Sequence, residues 1–228
     1  MLISAQLAAV SRTVPFCPNW RWIVVELYPL PIQIQPFVIR KPNLHVYVPQ
    51  IVQLVDRQAQ TRMNRTIYDT VIRLIRATAY ESSPATTQVL GFYEVKLNER
   101  RLLSITLIIY DYPEGAAHGM TYLQGLTFDV KTGKLITLRD LFKPGVDYVT
   151  PLSQDVARQI KERQIPVIEP FHHIQPDQPF YLTAKALVLF FQLYDLAPYA
   201  YGFQYFPISI YDLNDIKAEN GVIDTLWY

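Results

Sequence analysis

The chain has 228 residues, of which half are hydrophobic and 18% charged, with 21 basic against 20 acidic side chains. That much apolar material argues for a folded core and against disorder, and a formal charge of +1 with dispersed basic residues supplies no field to gather nucleic acid or an anionic membrane. The lone Cys17 has no partner for an internal disulfide or a zinc cluster, and no stretch approaches the roughly 18 apolar residues of a membrane span.

Residues 1–10 are mildly apolar but lack a basic start, so 1–19 reads as an N-terminal extension rather than a secretory leader. Residues 20–28 (WRWIVVELY) and 44–48 (LHVYV) are β-branched and aromatic between prolines, which predicts short strands. From Asp56 the period changes: Met63, Ile67, Val71, Leu74 and Ile75 recur at helical spacing with arginines on the other faces, predicting an amphipathic helix of about five turns. A loop follows at Ser82-Ser83-Pro84.

Residues 89–97 and 102–111 are strand-like runs joined by the polar connection Asn98-Glu99-Arg100-Arg101. Residues 120–130 and 135–138 flank Lys131-Thr132-Gly133-Lys134, where Gly133 can supply a positive φ, so the four strands are predicted to form a meander. Thr150-Pro151 reads as a helix start, Thr150 the cap and Pro151 the first helical residue, with Leu152, Val156 and Ile160 on one face. A hairpin at 180–182 and 186–194, a strand at 205–210 and a short polar tail complete the chain. Runs of strands with two separated helices predict an α+β protein with largely antiparallel sheets and disfavour a doubly wound nucleotide-binding fold.

No phosphate-cradling glycine loop, zinc-protease motif or nucleophile elbow is present. His45, His118, His172 and His173 are not spaced to share one face, so no metal or cofactor is expected; in the extended tandem, one of His172 and His173 should be buried and one solvated. His118 lies in the small-residue loop Glu114-Gly115-Ala116-Ala117-His118-Gly119, either as a ligand-contacting or general-base imidazole or as a side chain that fixes its own turn. The densest aromatic stretch, residues 194–206 (YDLAPYAYGFQYF), is either a binding surface or core filler. Its Tyr194, Tyr199, Tyr201 and Phe203, with Asp195 as polar partner and His118 alongside, are the candidate ligand-binding residues. Asn64-Arg65-Thr66 matches a glycosylation sequon but falls within the predicted helix.

In order, Asn64, YEVKLN (93–98), Ala117-His118-Gly119, LTFDVKTGKLITLRDLF (126–142), residues 176–182 and FQLYDLAPYAYGF (191–203) resemble the bacterial DUF4163/DUF3298 pair. That module occurs outside the cytoplasm in RsiV-type anti-sigma factors and in PdaC-type peptidoglycan deacetylases. In its usual Gly-Gly-Ala-His-Gly loop, one glycine is replaced here by Ala116. The resemblance implies two small α+β subdomains, mostly antiparallel sheets each packed with a helix: a PdaC-like part at 20–113, an RsiV-like part at 114–217, and a tail at 218–228. In the anti-sigma factors the module binds lysozyme. The resemblance therefore implies a non-catalytic binding module for a protein or a peptidoglycan-type glycan. The alternatives are a peptidoglycan-fragment hydrolase, with His118 as base and Asp111, Glu114 or Asp195 as partner carboxylate, a deacetylase-associated domain, or an intracellular or spore-associated structural protein.

Overall fold

The computed structural model describes residues 32–227; Cys17, the 1–19 extension and the strand expected at 20–28 lie outside them. The fold is α+β, with two sheets and few helices. Strands β1 (Gln33–Lys41) and β2 (Leu44–Val52) form a hairpin over Pro42-Asn43, where the proline ring presets the first turn residue and Asn43 takes a φ of 57°. Helix α1 (Arg57–Ala77) follows; the Asp56 carboxylate accepts from the backbone N–H groups of Gln58 and Ala59 at 2.8 and 3.0 Å. The expected apolar face is the buried one, with Met63, Ile67 and Val71 at most 1% exposed.

Helix α1 crosses over to β3 (Thr87–Glu99), which lies parallel to β2, the one parallel pair in the sheet; β4 (Leu102–Pro113), β5 (Met120–Asp129) and β6 (Lys134–Ile136) then add as an antiparallel meander, giving the order β1-β2-β3-β4-β5-β6. The expected four-residue connection at 98–101 is shorter. Pairing continues through Asn98↔Leu103 and Glu99↔Leu102, leaving only Arg100 and Arg101 in the turn, both at positive φ (50° and 66°). Gly133 has a φ of 69°, and a Cβ there would lie 2.6 Å from Ala59 O, so this turn is both left-handed and pressed against the start of α1.

The second sheet, β7 (Phe180–Leu182), β8 (Ala186–Phe191) and β9 (Gln204–Ser209), is an antiparallel meander seated on the far face of β4 and β5 from α1. Contact there is backbone-close: a Cβ on Gly125 would stand 1.9 Å from Phe180 O. The buried Ser104 hydroxyl pairs with Thr127 Oγ1 at 2.8 Å and accepts from Leu182 N at 2.9 Å. Helix α2 (Val149–Glu162) packs Leu152 and Val156 into the second sheet's core. It starts two residues earlier than expected. Asp147, not Thr150, supplies the capping oxygen, accepting from Thr150 N at 3.1 Å; Pro151 still falls in the first turn, where its missing N–H costs nothing.

Two cores result, one between α1 and the six-stranded sheet, the other among the second sheet, α2 and the C-terminal residues. A β-bulge between Val95 and Leu97 changes the alternation of β3, so that Leu97 joins the second core while Val89 remains in the first. The division expected at 113/114 falls in the β4–β5 loop, across which the sheet continues. The tail expected to be polar forms α3 (Val222–Trp227), with Ile223 and Leu226 fully buried in the second core. No helix among the described residues is long and apolar enough to cross a membrane.

Candidate functional site

Strand β5 pairs with β6 only over Thr127, Phe128 and Asp129, which leaves the backbone of Leu123 without a strand partner on that side. Gln192 fills the place. Its Oε1 accepts from Leu123 N at 3.1 Å and its Nε2 donates to Leu123 O at 2.6 Å. That bracket lays the start of the aromatic segment beside β5, whose preceding loop carries His118.

The consequence is an imidazole held between two phenols. The rings of His118 and Tyr199 stack at 4.1 Å and 22°, and Tyr194 lies 5.6 Å from Tyr199. Tyr199 donates its hydroxyl to Gly119 O at 2.9 Å. His118 Nδ1 lies 2.9 Å from that same carbonyl, which can only accept, so the neutral ring carries its proton on Nδ1. Nε2 then has a free lone pair and accepts from the Tyr194 hydroxyl at 3.2 Å. His118 thus fixes its own loop through the Gly119 carbonyl, and its ring remains exposed. Gly119 packs closely beneath it: a Cβ there would stand 2.3 Å from the Tyr110 ring and would have to displace that side chain.

The carboxylates considered as partners for His118 are engaged elsewhere or solvated. Asp111 is buried on the α1 side, where Oδ2 accepts from Ala79 N at 3.1 Å. Asp195 turns back on its own chain and accepts from Gln192 N at 3.2 Å rather than serving the tyrosines, and Glu114 is exposed. His172 and His173 are both exposed, since Ile174 takes the buried position of that segment.

The rest of residues 194–206 divides between surface and core. Tyr201 is 58% exposed at the tip, Phe203 is partly buried, and Phe206 is fully buried. Phe203 leads into a second ring cluster. Tyr205 lies 6.3 Å from Phe203 and 6.2 Å from Tyr181, and Lys96 Nζ stands 5.0 Å over the Tyr181 ring while pairing with Glu94 at 2.7 Å. Burial, and then the neighbouring Tyr181 and Glu94, push the Tyr205 phenol up to about 12. Gln192 and Tyr181 were not singled out from the sequence. Nothing local marks a glutamine that pairs with a backbone 69 residues away.

Residues 139–211 match the family described as "Protein of unknown function (DUF3298)". The anti-sigma-V factor RsiV of Bacillus subtilis is 35% identical over 104 residues, which cover 40% of this chain and 36% of that protein, so the chain matches about a third of its curated relative's length. The fold is shared with the crystal structure of a DUF3298 member from Bacteroides fragilis (TM-score 0.66, 14% identity, 86% of this chain and 97% of that one). A DUF3298 protein from Pseudomonas aeruginosa is similar too (TM-score 0.61, 18% identity, 83% and 96%). The second sheet, its aromatic segment and α2 all lie inside the span that matches DUF3298.

Proposed function

We propose that the chain is a non-catalytic binding module that engages a protein or a cell-wall glycan through the His118 loop and Tyr194, Asp195, Tyr199, Tyr201 and Phe203. The observation that carries this is the His118–Tyr194–Tyr199 cluster, with His118 and Tyr194 exposed and Tyr199 partly buried, whose rings are tied together by hydrogen bonds in the absence of a ligand. Preformed aromatic surface keeps the entropy of ordering side chains out of the binding step. The relative's identity as an anti-sigma factor supports a protein partner, and the family resemblance supports an extracytoplasmic setting, with lysozyme as the first ligand to try.

Titration calorimetry of the purified chain against lysozyme, and separately against soluble muropeptides, tests the reading. Saturable heat that falls at least about tenfold in affinity in both Tyr199→Ala and His118→Ala, with the fold intact, is expected. Unchanged affinity in both variants, or no saturable heat with either ligand, defeats it.

A further inference from the structure

Strand β3 is apolar on both sides. Val89 and Gly91 face α1, while Leu90 and Phe92, on the opposite face, are 54% and 47% exposed. Registry extends that outer face across the sheet: Leu90 lies between His45 and Tyr110, and Phe92 opposite Ile108. On the neighbouring hairpin, Tyr47 is 44% exposed and stacks on His45 at 4.8 Å. The second sheet covers only the portion around Ser104 and Gly125, so the remainder is an open apolar surface.

The open surface adjoins the candidate site at both ends. Gly119, beneath His118, packs on Tyr110, and Lys96, beside Glu94 on β3, lies over Tyr181 of the second ring cluster. Its charges are one-sided. Arg40, opposite His45 on β1, is exposed and has no carboxylate partner among the described residues, whereas Glu94 is already neutralised by Lys96 and also accepts from Thr106 at 3.3 Å. Leu90, Phe92 and Ile108 make a centre without side-chain hydrogen-bonding groups, rimmed by His45, Tyr47 and Tyr110, the apolar-core and polar-rim arrangement of a protein-protein contact.

We propose that the outer face of β2, β3 and β4 is a docking surface for a protein partner, one presenting a row of apolar side chains flanked by a carboxylate that pairs with Arg40. This rests on the binding reading above and narrows its ligand to a polypeptide.

The test uses a displayed random-peptide library, selected on the full chain and recovered as individual synthetic peptides. Binding is then measured by fluorescence anisotropy on wild type, Phe92→Thr, Leu90→Thr and Arg40→Gln; threonine keeps the strand propensity, and circular dichroism confirms the fold. The expected peptides combine apolar residues with Asp or Glu. They lose about tenfold or more in affinity with Phe92→Thr or Leu90→Thr and about threefold with Arg40→Gln, the last difference shrinking at high salt. Peptides indifferent to all three variants, or no enrichment at all, overturn the proposal. So does a dimer by sedimentation equilibrium that dissociates in Phe92→Thr, which would assign the face to a second copy. Muropeptide binding that is lost in Tyr199→Ala but retained in Phe92→Thr would overturn this inference while leaving the binding reading standing.

Discussion

The two faces of β3 have similar apolar character and opposite fates. On the α1 side, Val89 is 1% exposed and the adjoining Ile105, Leu107 and Phe128 are at most 1% exposed. On the other side, Leu90 and Phe92 stand about half in water. The difference teaches where stability and recognition are separated in this molecule: truncation inside should be paid in folding free energy, truncation outside in affinity alone.

The sharpest test of that separation is Phe128→Ala, expected to lower unfolding free energy by about 3–5 kcal/mol through lost burial and a cavity, read as a shift in the urea midpoint. Next is Gly125→Ala, on the covered part of the outer face. Its added methyl meets the Phe180 carbonyl, a backbone atom that cannot rotate away, and a loss of about 3 kcal/mol is expected. A near-neutral result there would show that the second sheet rides loosely on the first and would break the comparison. Phe92→Thr should stay within about 0.5 kcal/mol of wild type in the same assay. A loss several times larger would mean that the open face is structural.

The smallest effect is acid sensitivity. The Asp56 carboxyl is held below its ordinary value by the Ala59 N–H, Asp147 by Thr150, and Asp224 by its hydrogen bond to Lys217. Each has a lower pKa folded than unfolded, so its contribution is present above the unfolded value of about 3.8 and is lost as pH falls through the folded one. The urea midpoint should decline below about pH 4, and the decline should flatten in Asp56→Asn and Asp147→Asn. A midpoint constant to pH 2.5 would refute the assignment.

Much of this architecture was legible because it is written in short periods. The buried stripe from Met63 to Ile75 has helical spacing, and the hairpin strands announce themselves by alternation and by Gly133. The turn at Arg100-Arg101 was not, since arginine gives no signal for positive φ; only the continued ladder around it dictates that geometry. Nor was the bulge at Val95, which redirects Leu97 to a different core. In the site, the residue types were visible in the chain, but their meeting depends on pairings between distant backbone segments. The open apolar face could have been read from VLGFYEV itself, where apolar residues occupy both parities of one strand.

The bracket made by Gln192 has a counterpart at two other places. Asn64 Oδ1 and Nδ2 bond Ile51 N and O at 2.8 and 2.9 Å, and Asn98 does the same for Ile32 at 3.1 and 2.9 Å. Each amide presents one acceptor and one donor to a single residue, as a neighbouring strand would. For Asn64 this also means that the sequon's nitrogen is already committed to the fold. At Leu123, on the side of β5 that β6 leaves unpaired, the Gln192 amide also closes off backbone to which a foreign strand could otherwise add and seed aggregation. The glutamine that positions the aromatic segment is therefore also a guard against runaway assembly, and a variant lacking it should be handled as an aggregation hazard as well as a binding mutant.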